Sequence, residues 1–358
     1  MKVALQLGYW GAMPPQHAQE LVSEAERAGF DGVFAAESWG SDAFTPLAWW
    51  GSTTTRVRLG TSVAQLSARS PAACAMHALT LDHLSGGRCV LGLGVSGPQV
   101  VEGWYGQPFE KPLARTREYV SIVRQVLARQ QPVRNEGPHY PLPYHGPGSS
   151  GLGKSLRPIT HPLRADLPIW LGAEGPRNVA QTAEIADGWL AVYYSPRLAA
   201  VCEEWLAEGF ARPGARRTRS EFEVAAHCQV LVTDDAAAER AGLKPSLALY
   251  LGGMGAVRRN FHADVFRRMG YAEAVEEVGL LFREGRREEA AAAVPDELVD
   301  EIAIIGTRER VVERVRQWER SGVDTLLVGC RDAEQVRTVA EVVRESGSAD
   351  SPVSTLPS

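Results

Sequence analysis

Short apolar runs alternate along this chain with stretches whose apolar residues recur at helical spacing. The first run, residues 3–8, leads through Pro15 into apolar positions at Ala18, Leu21, Val22, Ala25 and Ala28, closed by Gly29. That order reads as strand, turn and amphipathic helix with a glycine at its end. Seven more strand-like runs follow at 32–36, 57–63, 88–95, 167–172, 188–192, 222–232 and 323–329. Helical patterns lie between them, clearest at 70–84, 115–130, 176–186 and 308–321. Nearly all the runs are apolar throughout, as strands covered on both faces are. Eight such repeats predict an α/β fold, a TIM (β/α)8 barrel forming a single domain over 1–345. A doubly wound parallel sheet is the alternative.

Two stretches depart from an even barrel. Residues 132–164, after the fourth strand, contain NEGPHYPLPYHGPGSSGLGK, rich in proline, glycine and tyrosine and without helical period. Loops of that length serve as lids or stay disordered. Residues 236–294 read as extra helices inserted between the seventh and eighth strands, and 346–358 as a disordered tail.

Two glycine turns stand out. CVLGLGVSGP, residues 89–98, places Gly92, Gly94 and Gly97 at G-x-G-x-x-G spacing. A dinucleotide fingerprint needs the first strand of its unit and an acidic residue about 20 positions on at the end of the second. Here three strand–helix pairs come first, and Glu118 lies inside the helical pattern 115–130, so the dinucleotide reading fails on context. What remains is a turn after a barrel strand where backbone N–H groups can approach an anion or a planar ring. The second turn, WLGAEGPRNVA, runs Gly172, Gly175 and Pro176 straight into a helix, with Arg177 to add charge. Proline at the first helical position leaves free N–H groups at a positive helix end. Two such turns on one barrel face point to a cofactor with a ring and a phosphate tail.

Charge and composition exclude several classes. Lys and Arg total 38 against 43 Asp and Glu, a net charge of −5 with no long run of one sign, which argues against nucleic-acid and membrane-surface partners. The opening MKVALQLGYW is not a secretory leader, and no apolar run nears membrane-spanning length, so a cytoplasmic protein is expected. The five cysteines are scattered without C-x-x-C spacing, and His77 and His83, six apart on a helix, do not share a face, so no metal site is expected. Trp39, Trp49, Trp50 and Trp104 are candidate walls of an apolar pocket. In the 132–164 insertion, His139, Tyr140, Tyr144 and His145 read as lid or substrate contact, and Lys154 and Arg157 as partners for a negatively charged cofactor tail.

The segments GFDGVFAAES, VRLGTSV, LGLGVSGPQVVEGWYG, PIWLGAEGPRNVA and TAEIADGW, in that order, resemble the luciferase-like monooxygenase superfamily. Within it the chain is similar to actinobacterial oxidoreductases that use the deazaflavin coenzyme F420. The resemblance runs from Met1 to about Gly329 and implies a TIM barrel with an insertion after the fourth strand. It implies a non-prolyl cis peptide in the third strand, here Ser62–Val63, supporting the cofactor ring. It also implies a cofactor phosphate held by Gly94, Ser96, Gly97, Pro98 and Gln99 and by Ala173, Glu174, Gly175 and Pro176, next to the Gly172 and Arg177 of the second turn.

One departure bears on mechanism. Members that oxidise alcohols or sugar phosphates carry Asp–His at the end of the second strand, and this chain has Glu37–Ser38. Glu37 then reads either as a catalytic proton relay and cofactor contact beside Ser38, or as a carboxylate that holds a neighbouring loop. The activity implied is hydride transfer between the deazaflavin C5 and a small apolar organic substrate, by a homodimer. The alternatives are a monooxygenase receiving reduced FMN from a separate reductase, and a non-catalytic cofactor-binding barrel.

Overall fold

The computed structural model describes residues 1–254 and 260–348. Its strands are β1 (Lys2–Gly8), β2 (Gly32–Ala35), β3 (Arg58–Thr61) with the short continuation β4 (Ala64–Gln65), β5 (Cys89–Gly94), β6 (Ile169–Gly172), β7 (Gly188–Ala191) and β8 (Glu223–His227). A side pair, β9 (Gln229–Val232) and β10 (Ala303–Gly306), precedes the last strand, β11 (Thr325–Val328). β1 pairs with β2 and β11, β3 with both β2 and β5, and β5 through β8 to β11 follow in order, every pair parallel. The circuit closes, giving the TIM barrel that the eight apolar runs predict.

The expected helices form at Ala18–Ala28, Pro71–Leu84, Pro112–Ala128, Pro176–Ile185 and Arg308–Arg320. Pattern alone misses Phe44–Gly51, which is apolar nearly all round and so shows no stripe. The run 222–232 is not one strand. It breaks at Cys228: β8 stays in the barrel, while β9 leaves it to pair with β10, a strand hidden behind the helical insertion. Residues 346–348 likewise belong to the helix Ala333–Ser348 rather than to a tail, because Ser346 is buried and its Oγ donates to the Val343 carbonyl at 2.7 Å. Residues 349–358 lie outside the described residues.

The barrel interior is layered. At the N-terminal end, Glu223 accepts from Lys2 (3.0 Å), from both Arg58 Nη atoms (2.9 and 2.8 Å) and from Thr325 (2.5 Å), closing the bottom with a satisfied ionic plug. Above it a dry layer of Ala4, Phe34, Val90, Trp170, Leu190, Ala225 and Leu327 fills the centre. Phe34 stacks on Trp170 at 5.5 Å and needs Gly60, where a Cβ would lie 2.1 Å from its ring. Side chains alternate along a strand. Two residues on from this layer and Gly60, toward the strand C-termini, the inward positions are therefore Gln6, Ala36, Ser62, Gly92, Gly172, Val192, His227 and Gly329. The interior changes there from wholly apolar to a mix of small, apolar and polar side chains, the polar ones being Gln6, Ser62 and His227, and this level floors the well at the C-terminal mouth of the barrel.

Both insertions border this end. After β5's helix, residues 131–168 carry no helix; Glu118 fixes their start by accepting from Asn135 Nδ2 and the His139 and Tyr140 N–H groups at 3.1–3.2 Å. The helical stretch runs Ala236–Ala248, a π turn at Leu249–Gly253, then Phe261–Arg268, Ala272–Arg283, Arg287–Ala292 and Asp296–Ile302. It has an apolar cluster of its own around Leu251, Phe266, Val278 and Leu298, shared with β9 and β10.

Candidate active site

Both glycine turns lie on one rim, because β5 and β6 are parallel neighbours and each turn follows its strand. The turns are near copies. Gly97 (φ −106°, ψ 162°) caps the helix beginning at Pro98, and Gly175 (φ −111°, ψ 158°) caps the one beginning at Pro176. Among the described residues, the N–H groups of Gly97, Gln99, Gly175 and Arg177 donate to no protein acceptor. Such groups at the ends of helices suit an anion. A Cβ on Gly175 would meet nothing within 4 Å, so this turn faces open space.

The other glycines have a different use. The residue of the first turn in the left-handed region is Ser96 (φ 60°), not a glycine. A Cβ on Gly94 would lie 2.5 Å from Val63 Cγ2, and one on Gly172 would lie 3.3 Å from Val63 Cγ1. The two missing side chains thus seat the Val63 isopropyl group between the ends of β5 and β6. Val63 follows a cis peptide bond, Ser62–Val63, the non-prolyl cis bond that the resemblance implies at this bulge.

Glu37 is buried and fully engaged. Arg69 grips it with both Nη atoms at 2.8 Å, and the backbone N–H groups of Gln65 (2.6 Å) and Ala43 (3.3 Å) supply the remaining bonds. Gln65 Nε2 also donates to the Glu37 carbonyl at 3.0 Å. Burial works against the Arg69 charge, but Glu37 outweighs it and holds the guanidinium above its usual range. This arrangement ties the end of β2 to the loop after β4, the loop-holding reading of Glu37. Ser38 contributes its carbonyl, which accepts from the Tyr105 hydroxyl at 3.2 Å.

Glu174 is also tied down. Its carboxylate meets His262 Nδ1 at 2.6 Å and its carbonyl accepts from Arg268 at 2.7 Å, both from the helical insertion. The insertion thereby reaches the rim, where Tyr250 and His262 pack edge-on against Tyr193 at 5.6 and 6.0 Å. Burial raises the phenols of Tyr193 and Tyr250, in Tyr250 with a further push from neighbouring Tyr9. Trp50 is buried, whereas Trp39, Trp49 and Trp104 are more than half exposed, so only Trp50 belongs to a packed interior. Two shallow clefts lie near the rim. One is lined by Leu66, Val95, Phe109, Arg115 and Tyr140; the other by Glu174, Trp189, Tyr193, Trp205 and Arg268.

On the floor, His227 Nε2 meets Ser62 Oγ at 3.0 Å and the Gln6 amide donates to the Ser62 carbonyl at 3.4 Å. Burial alone pushes the His227 imidazole down to about 4, so it is neutral at physiological pH. Sequence reading passes over Gln6, Arg69, His227 and His262. Strand alternation finds the first and third of these, two positions beyond the apolar interior residues Ala4 and Ala225.

A parallel barrel with paired anion-ready turns on one rim and a polar floor is the frame of a cofactor enzyme, and the chain belongs to the luciferase-like monooxygenase family, whose profile matches residues 3–325. A Mycobacterium tuberculosis protein provisionally named a coenzyme F420-dependent oxidoreductase is 67% identical over 343 residues, covering 96% of this chain and 99% of that one. A 5,10-methylenetetrahydromethanopterin reductase of Archaeoglobus fulgidus is 29% identical over 86% of this chain and 87% of its own. Among solved structures, the F420-dependent tetrahydromethanopterin reductase of Methanopyrus kandleri superposes with a TM-score of 0.79 at 23% identity, over 96% of this chain and 98% of that one, a likeness of fold.

Proposed function

We propose that this protein is an F420-dependent oxidoreductase acting on a small, uncharged organic substrate. The observation that carries the reading is the pair of Gly–Pro helix starts, Gly97–Pro98 and Gly175–Pro176, side by side on one rim with unpaired N–H groups. The name of the 67% identical relative supports the choice of cofactor. F420, when bound, supplies hydride exchange at C5 of its deazaflavin.

The chain's own residues position and enclose. The turn N–H groups and Arg177 hold the phosphate; Ser62 and Val63 support the ring; Gly94 and Gly172 keep Val63 in place. Glu37 and Arg69 fix the loop beside them. Dry barrel layers close the site from below and the insertions border its mouth. The two insertions belong to the same domain as the barrel whose rim they build. The exposed Trp49 and Met76, on adjacent helices, favour a homodimer buried through that side.

The test is a titration of the pure protein with F420 and with FMN, followed by tryptophan fluorescence. Saturable quenching by F420 at micromolar concentration, with FMN weaker, is expected. Tight FMN binding without an F420 response overturns the cofactor assignment.

A further inference from the structure

His227, at the end of β8, is half-buried and not wholly shut off from solvent. The imidazole has one protein partner, Ser62 Oγ at Nε2. Nδ1 bonds to none of the described residues and keeps some accessible surface. Beside it the orientation of Gln6 is fixed by chemistry: the Ser62 carbonyl accepts only a donor, which puts the Gln6 amide nitrogen toward it. The Gln6 Oε1 acceptor is then left buried and without a partner. An unpaired buried polar atom is destabilising, so a partner supplied by a ligand is favoured.

The floor also lacks a net charge to offer. Lys2 and Arg58 are consumed by Glu223 at the opposite end of the barrel, and Arg69 by Glu37. Cationic and anionic ligand groups would find no counterion there, whereas carbonyl, amide and hydroxyl groups find a donor and an acceptor.

We propose that His227, with the Ser62 hydroxyl donating to Nε2 and the ring proton on Nδ1, forms with Gln6 Oε1 a ligand-reading pair on the floor of the well, recognising an uncharged carbonyl or amide edge. The inference rests on the cofactor reading above. Two sources present that chemistry: the pyrimidinedione edge of the deazaflavin, whose N–H also meets Gln6 Oε1, and a ketone or amide substrate bound over it, whose carbonyl meets His227 Nδ1. The pair divides the site by charge, with anions held at the rim turns and neutral polar groups at the floor.

The experiment is long-range proton–nitrogen NMR of the imidazoles in wild-type protein, the His227 signals assigned by comparison with His227→Gln. F420 is added first, then cyclohexanone to the F420-loaded protein, with dissociation constants measured in parallel for wild type, His227→Ala and His227→Gln. A shift of the His227 nitrogen signals with F420 assigns the pair to the cofactor ring, and a shift only with cyclohexanone assigns it to the substrate. In either case His227→Ala weakens that ligand about tenfold and His227→Gln, which keeps a donor, weakens it less. If F420 quenches tryptophan normally but neither ligand moves the His227 signals, the pair is overturned and the cofactor reading stands. If F420 does not bind wild-type protein at all, both are overturned. The wild-type spectra decide the matter even if His227→Ala fails to fold.

Discussion

Glu37 spends its carboxylate on Arg69, Gln65 and Ala43, and the ion pair sits where water does not reach either partner freely. Glu37→Gln leaves Arg69 buried without its counter-charge, which costs about 3 kcal/mol, whereas Glu37→Gln combined with Arg69→Met recovers most of the loss. Urea unfolding of the three variants measures this, and a Glu37→Gln enzyme as stable as wild type contradicts the loop-holding role. His227 makes a second residue-scale prediction. Its folded value of about 4 lies below the ordinary 6.5, so the unfolded chain binds the extra proton first. The stabilising effect of a neutral imidazole is complete above pH 6.5 and is lost as pH falls toward 4, up to about 3 kcal/mol. Thermal melts across that window should fall more steeply for wild type than for His227→Gln. The sequence showed Glu37 as a candidate but could not choose its role, because the partner that decides it, Arg69, is a lone basic residue 32 positions away. Gln6 and His227 carry no motif; only their place two residues beyond the apolar interior marks them, and that place depends on knowing which parity faces inward.

Strands and helices were read more surely than the residues they carry. Each barrel strand is a short apolar run bounded by turn residues, so all eight were visible, while β9 and β10 were hidden because one joins β8 across the single residue Cys228 and the other follows a helix directly. The glycine turns were found by spacing, but their division of labour was not. Gly94 and Gly172 make room for Val63, and Gly175 faces open space. This difference predicts distinct outcomes. Gly175→Ala, at a backbone conformation that alanine adopts, should leave the melting temperature unchanged and weaken F420 about tenfold, since the methyl group enters the space of the phosphate. Gly94→Ala should destabilise the protein itself, because its Cβ collides with Val63. Calorimetric melts and F420 titration of both variants separate the two roles.

Across the whole molecule, the barrel supplies a rigid rim and the insertions surround it. The irregular stretch 131–168 is pinned at its start by Glu118, and further on it leaves Leu152, Leu156 and Ile159 exposed. Brief trypsin treatment should therefore cut first after Lys154, Arg157 being protected by Pro158. Mass spectrometry of the first fragments checks this; initial cleavage inside the barrel helices contradicts it. Charge is arranged on the same scale: an ionic plug at the N-terminal end, a neutral polar floor, and anion-ready turns at the rim. The most direct measurement is a crystal structure of the protein with F420 bound. The deazaflavin is expected in the well above Ser62–Val63, with the phosphate on the N–H groups of the Gly97–Pro98 and Gly175–Pro176 turns. A phosphate held anywhere else, or a ring outside the well, contradicts this reading.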